Sequence, residues 1–387
     1  LQAVTPFDEE RFLPVKSALG KDVISFSGVG SPYHYPVRDV YKALQNVIRR
    51  DGVAAFEYGD LRQGYLPLRE TITHILGSQS ISVHPEEILI TSGSQQALAL
   101  VCQALLKPGD TILIESPTYN LALELFQAFN LKIISLPVDA NGMQVEQLEE
   151  LLQKHHPRLI YTIPNFQNPS GMSLSENRRR QLISLAERYN TPILEDDFAG
   201  DLRYEGRIQP ALKTLDPAGM VIYIGTFSKM LMPGLRLGFL IAGGPVLPLL
   251  TRYKRVNDLT TSPLIQRAVC EYVSVGSYQA HLRRSCRLYL KQRDTLLAAI
   301  RQELGDKVKF AVPQGGLFLW LQLNVNISSF ELREKAVRAG VDFTPGHHFF
   351  NNPQEGEYFL RLNFASQSPQ NIMEGIQRLA GVLNKMH

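Results

Sequence analysis

The sequence predicts an α/β fold in which a mostly parallel central sheet is flanked by helices, followed by a smaller α+β unit. Three observations predict it. From about residue 86, short runs rich in Ile, Leu, Val and Thr alternate with amphipathic stretches, the rhythm of strands covered by crossover helices. Beyond about residue 255 that rhythm gives way to long helical text and then to a mixed tail. No internal repeat or low-complexity linker interrupts the 387 residues, a length that buries a large core and commonly divides into two domains.

The first strand of the sheet is expected over 88–91 and a helix over 94–106. Lys107-Pro-Gly-Asp110 is a turn, because proline presets φ and glycine accepts positive φ. Further strands are expected over 111–114, 132–136, 159–163, 192–194, 221–225 and 238–242, with helices between them, most clearly over 176–189. Helical text covers 263–304, then a strand 315–323, a helix 329–339, strands 341–344 and 358–363, and a last helix from Pro369. The expected division is 1–45 as an N-terminal arm and part of the small domain, 46–275 as the large domain, and 276–387 as the small C-terminal domain.

Forty Lys and Arg against 37 Asp and Glu give a net charge of +3, spread along the chain. That is not the basic stripe of a nucleic-acid binder, so no nucleic-acid contact is expected through this chain as it stands. The densest basic stretches, Arg178-Arg179-Arg180 and 283–293, read as solvated helix faces. Cys102, Cys270 and Cys286 have no metal-ligand spacing and are too few for a disulfide framework. No metal is expected, and a reducing, cytoplasmic setting is. No apolar run long enough to cross a membrane and no signal-peptide pattern is present. The chain starts Leu1-Gln2 rather than Met, which leaves room for preceding residues in the natural protein.

The most informative segment is Gly225-Thr-Phe-Ser-Lys229-Met-Leu-Met-Pro-Gly-Leu-Arg236-Leu-Gly238. A lysine amine forms an imine with an aldehyde, and an arginine fork holds a phosphate by two parallel hydrogen bonds, so the pair suits pyridoxal phosphate. Standing alone it also reads as a solvated basic turn. Ser92-Gly93-Ser94-Gln95-Gln96 follows a strand and opens a helix, aiming unpaired N–H groups at an anion, or else using Ser94 as an ordinary helix cap. Glu195-Asp196-Asp197 sits at a strand's C-terminal end, where open α/β sheets place ligands. One of these carboxylates against a pyridine nitrogen would keep it protonated. In Tyr161-Thr-Ile-Pro164-Asn165-Phe-Gln167-Asn168-Pro169-Ser-Gly171 the turn would present Asn168 as a donor, and Tyr119 offers a ring for stacking or for packing.

In this order the motifs make the chain resemble a fold type I, pyridoxal-phosphate-dependent class I/II aminotransferase from Ile24-Ser-Phe to the final helix. The resemblance implies pyridoxal 5'-phosphate as cofactor, bound in the large domain, and amino acid and 2-oxo acid substrates. It implies Lys229 as the Schiff-base lysine and proton shuttle, Asp196 on the pyridine nitrogen, Asn168 on the phenolic oxygen and beside the substrate, and Tyr119 stacked on the ring. Ser94, Gln95, Thr226 or Ser228, and Arg236 match the phosphate cup, and Arg361 in Tyr358-Phe-Leu-Arg361 matches the holder of the substrate α-carboxylate. Tyr58 matches the tyrosine that reaches the neighbouring subunit's phosphate, which implies a homodimer with shared active sites.

Within that family, Asp201-Leu-Arg-Tyr204-Glu-Gly206, the stretch 210–219 and Tyr223-Ile-Gly-Thr-Phe-Ser-Lys229 are similar to the MocR branch of GntR-type transcriptional regulators. There an aminotransferase-like domain follows a winged helix-turn-helix, and DNA would be contacted through that preceding domain. An enzyme is therefore one reading and a cofactor- or amino-compound-sensing domain the other, with an inactive homologue as a third. In one departure, Phe198 and Ala199 stand where the family commonly carries a tyrosine bonded to the phenolic oxygen. Tyr33, Tyr35 and His347 are unranked candidates for the side-chain pocket.

Overall fold

The computed structural model describes Gly20, residues 22–28 and residues 34–385. Strand β1 (Ile24–Ser25) precedes helices α1 (Val37–Asp51) and α2 (Leu66–Gly77). Next come β2 (Ile88–Thr91), α3 (Ser94–Leu105), β3 (Thr111–Ser116), α4 (Asn120–Ala128), β4 (Lys132–Asp139), β5 (Gly142–Met143) and α5 (Leu148–His155). The sheet-forming stretch continues through β6 (Leu159–Thr162), α6 (Glu176–Arg188), β7 (Ile193–Asp197), β8 (Val221–Thr226) and β9 (Gly238–Ile241). Helices α7 (Val246–Asp258), α8 (Pro263–Ser274) and α9 (Ser277–Glu303) lead to β10 (Val308–Phe310) and β11 (Phe318–Leu323). The chain closes with α10 (Ser329–Arg338), β12 (Val341–Asp342), β13 (Thr344–Pro345), β14 (Phe359–Asn363) and α11 (Pro369–Asn384).

The large sheet has the order β2-β9-β8-β7-β6-β3-β4-β5. Its middle, β8-β7-β6-β3-β4, is parallel, while β9 runs antiparallel to both neighbours and β5 antiparallel to β4. The chain passes outward from β3 to β4 and returns on the other side of β3 as β6, so the order reverses there. A crevice opens at the carboxyl ends of strands at such a switch point. Ser116, Thr162 and Asp197, the last residues of β3, β6 and β7, mark it.

Alternation along buried parallel strands splits the core in two. Ile112, Ile114, Leu159, Tyr161 and Leu194 join one cluster, whereas Leu113, Ile160 and Ile193 join a second with Leu182 and Ile183 of α6. The same period of two puts Asp196 on one face of β7 and Glu195 and Asp197 on the other. A second sheet, antiparallel in the order β10-β11-β14-β13, follows α9, and β1 pairs in parallel with β12. A Cβ at Gly225 would overlap the ring of Phe239, so glycine there lets β8 and β9 approach.

Four element expectations change. Between β7 and β8, and between β8 and β9, where helices were expected, the chain holds only the single short turns Lys213–Leu215 and Pro233–Leu235. The text over 263–304 is two helices, because Gly276, at φ +74°, ends α8 in a left-handed turn. The strand expected over 341–344 divides into β12 and β13, which join different sheets on either side of fully buried Phe343. Strand β7 extends to Asp197, so Asp196 lies inside the strand rather than after it. Among the described residues no helix is long and apolar enough to cross a membrane.

Candidate active site

A cavity of about 280 Å³ opens at the switch point, and its lining includes Ser94, Tyr119, Asn168, Asp196, Lys229 and Arg361. Phe198 and Phe318 close one side with their rings stacked at 6.2 Å. Residues from positions 94 to 361 thus meet in one place. Among the described residues no group of three or more His, Cys, Asp or Glu is placed to hold a metal.

Asp196 is 2% exposed. Its Oδ2 accepts a hydrogen bond from the Tyr161 hydroxyl at 2.9 Å, and its Oδ1, equally buried, has no partner among the described residues. Burial pushes its pKa up to about 7, with the Asp197 charge acting in the same direction and Tyr161 and Lys229 opposing. The flanking acids bind elsewhere, as the strand period requires. Glu195 accepts from the backbone N–H groups of Leu212 and Lys213, and Asp197 from Asn165 and the Tyr223 hydroxyl.

Lys229 lies just beyond β8, and its Nζ makes no hydrogen bond to a described residue. Burial lowers its pKa to about 8; Arg361 and Arg236 push the same way and Asp196 opposes them. An amine held near that value is available as a base far more often than an ordinary lysine.

Arg361 of β14 is clamped between two rings, its guanidinium 4.2 Å from the Phe318 centroid and 4.9 Å from that of Phe349. Its Nη1 donates to Asn168 Oδ1 at 2.8 Å and its Nη2 to the Thr344 hydroxyl at 3.3 Å, while Nε is buried without a partner among the described residues. Burial lowers its pKa, yet a guanidinium keeps its proton. Asn168 is oriented from behind. Gln167 donates to the Pro117 carbonyl at 2.6 Å and to Glu115 at 3.2 Å and accepts from the Ser170 N–H at 2.9 Å, tying the turn of Asn168 to the segment leading to Tyr119.

The loop between β6 and α6 that carries Asn168 is pinned by Arg179. This side chain is fully buried and donates to the carbonyls of Pro164 at 2.6 Å, Leu174 at 2.8 Å and Pro210 at 3.0 Å, and to Asn165 Oδ1 at 2.8 Å. The expectation of a solvated face at 178–180 is corrected here: α6 turns Arg179 inward while Arg180 stays exposed. The same correction applies to Arg293 in the 283–293 stretch, which is 3% exposed and donates to the Pro313 carbonyl at 2.9 Å.

At the start of α3 the cap is Gly93 rather than Ser94, and among the described residues no side chain caps the helix. Gly93 has φ +90°, and a Cβ there would come within 2.9 Å of Arg236 Nη2. Arg236 donates to the Ser92 carbonyl at 3.1 Å, so its fork lies over the helix N-terminus. Ser228 and Thr226 separate. The Ser228 hydroxyl is buried without a partner among the described residues, whereas the Thr226 oxygen accepts from the Ser228 N–H at 3.1 Å and donates to the Leu237 carbonyl at 3.4 Å. Gln95 donates to the Leu121 carbonyl at 3.1 Å, leaving its Oε1 buried and without a partner among the described residues.

Tyr58 is 66% exposed and does not line the cavity, and neither do Tyr35 and His347; Tyr33 lies outside the described residues. Sequence reasoning passed over Tyr161, Glu115 and Phe318. The first stood in a quoted motif as a strand residue, and the alternation that turns it toward Asp196 was the available signal.

The family described as "Aminotransferase class I and II" matches residues 21–379. Aromatic-amino-acid aminotransferase 1 of Thermococcus litoralis is 36% identical over 371 residues, 94% of this chain and 88% of that protein. LysN, the alpha-aminoadipate aminotransferase of Thermus thermophilus, solved in complex with N-(5'-phosphopyridoxyl)-L-leucine, superposes with a TM-score of 0.89 at 34% identity, covering 96% of this chain and 94% of that one. YdfD of Bacillus subtilis, named as an HTH-type transcriptional regulator, is 33% identical over 86% of this chain and 68% of its own length. With sequence and fold matching over nearly its whole length, the chain belongs to the class I and II aminotransferases.

Proposed function

We propose that this aminotransferase binds pyridoxal phosphate in the cavity and moves an amino group from an α-amino acid to a 2-oxo acid, with Lys229 shuttling the proton. One observation carries the reading. Among the described residues nine buried side-chain atoms have no hydrogen-bond partner; those of Asp196 and Arg361 belong to residues lining the cavity, and those of Gln95 and Ser228 to residues next in sequence to Ser94 and Lys229 of that lining. Buried polar atoms are normally paired, so such a concentration fits a polar ligand.

In this reading Asp196 Oδ1 would take the ring nitrogen, Tyr119 would cover the ring face, and Asn168 would reach the phenolic oxygen. The N–H groups of Ser94 and Gln95, the Ser228 hydroxyl and the Arg236 fork would hold the phosphate, and Lys229 Nζ would bond the aldehyde carbon. Thr226 supports that cup by fixing the Ser228 backbone. When bound, the cofactor supplies an electron sink that stabilises negative charge at the substrate α-carbon.

The chain's own residues do the remainder. Arg361 holds the α-carboxylate, with its plane set by Phe318 and Phe349 and one nitrogen set by Asn168. That fixes the α-hydrogen relative to Lys229, whose lowered pKa lets the amine accept the proton and return it. Phe198 offers an apolar ring and no donor, which leaves Asn168 to serve the phenolic oxygen. A homodimer is part of the proposal: Val53, Phe56 and Tyr58 are 78%, 63% and 66% exposed, apolar surface that a second subunit would cover.

The likeness to regulators such as YdfD supports a second reading, in which the same site senses the cofactor and an amino compound. The test is a panel of amino acids with 2-oxoglutarate, followed at the cofactor absorbance and by 2-oxo acid release. Sustained release is expected. A half-reaction that never completes a cycle would favour the sensor.

A further inference from the structure

Tyr161 is a fully buried tyrosine on β6. Its ring meets Phe126 edge to face at 5.3 Å, and its hydroxyl finds one acceptor, Asp196 Oδ2. Glu115, the neighbouring acid, is already engaged by Thr162, the Ile163 N–H and Gln167. The geometry therefore points to one role for this hydroxyl: we propose that Tyr161 is the positioning residue that keeps the Asp196 carboxylate ionised and turned so that Oδ1 faces the cofactor nitrogen. This rests on the cofactor assignment above.

The physical case has two parts. A carboxylate with two equivalent oxygens can rotate about its Cβ–Cγ bond, and a donor on one oxygen selects the rotamer that presents the other. A buried carboxylate also tends to take up a proton, and a protonated Asp196 could not balance a protonated pyridine nitrogen. Groups that act on Asp196 from the surrounding elements are Tyr161 of β6, Glu115 of β3, Tyr119 at the start of α4, Asp197 on its own strand, and Lys229 after β8. Of these, Tyr161 is the one that donates a hydrogen bond to it, and burial with the Asp197 charge works against ionisation.

The test uses Tyr161→Phe and Asp196→Asn, singly and together, with pyridoxal phosphate affinity measured by equilibrium dialysis between pH 6 and 9 and kcat and KM measured alongside. Loss of a hydrogen bond to a charged group should weaken cofactor binding by roughly 10- to 100-fold near neutral pH in Tyr161→Phe. The pH below which affinity falls should move upward, because the carboxylate loses a group that favours its ionised form. Catalysis should show a lower kcat with little change in the amino acid KM. In the Asp196→Asn background the same change should have little further effect on either quantity. An unchanged affinity and pH profile in Tyr161→Phe overturns the proposal, and so does an equal loss in both backgrounds, the signature of mere packing. If the wild-type protein binds no pyridoxal phosphate, the cofactor assignment itself is overturned, a result distinguishable from a silent Tyr161→Phe in a protein that does bind it.

Discussion

Lys229→Ala is expected to lose turnover by roughly ten-thousand-fold or more, together with the visible absorbance of lysine-bound cofactor. The size follows from the two functions proposed for one atom, the bond to the cofactor and the movement of the α-proton. Folding should not suffer. Nζ makes no hydrogen bond to a described residue, and burial already disfavours its charge, so alanine removes a group whose desolvation is unfavourable. Thermal melting of the cofactor-free variant should match or exceed that of the cofactor-free wild type. Wild-type turnover surviving in this variant would sink the assignment of Lys229.

Arg361→Leu should act mainly on binding. Removing one partner of a desolvated ion pair commonly costs about 2–5 kcal/mol, which corresponds to a KM for α-amino acids higher by roughly thirty- to several-thousand-fold. Primary amines that lack the carboxylate should be far less affected, and the comparison separates carboxylate recognition from general damage. Some stability should be lost as well, about 1–3 kcal/mol, because Asn168 Oδ1 is left buried without its donor. Steady-state kinetics on paired substrates and a denaturant titration measure the two effects. Equal losses with acids and amines would remove Arg361 from the substrate.

Much of this was legible in the chain. Runs such as Ile88–Thr91 and Val221–Thr226 are short, apolar and bounded by turn residues, so period and length identify them as buried strands. Lys229, just past β8, Asp196, near the end of β7, and Asn168, in the turn that follows β6, stand where α/β sheets collect their chemistry, whereas Arg361 lies in the middle of β14 of the second sheet and was pointed out by the resemblance alone. What the text could not supply was direction. Three successive acids give no hint of which one faces the cavity until the β7 register is known, and Ser228 could be separated from Thr226 only by seeing which hydroxyl is already occupied. Arg179 shows the same limit. Three successive arginines look like a wet surface, and only the packing of α6 against the sheet turns the middle one inward. Phe318 and Phe349 were invisible as ring clamps because their partner is distant in sequence.

Arg179 has a wider consequence. By reaching the carbonyls of Pro164 and Leu174 together, one guanidinium closes the loop that presents Asn168 at both ends. The stretch between them becomes a cassette with fixed terminals, so the placement of Asn168 depends on one buried side chain at its ends as well as on the contacts of Gln167 within it. Lysine could not replace that staple, since a point-like ammonium does not span four acceptors on three separate segments. Loss of this arginine would therefore free both ends of the turn that carries Asn168, although Arg179 itself is not part of the cavity lining.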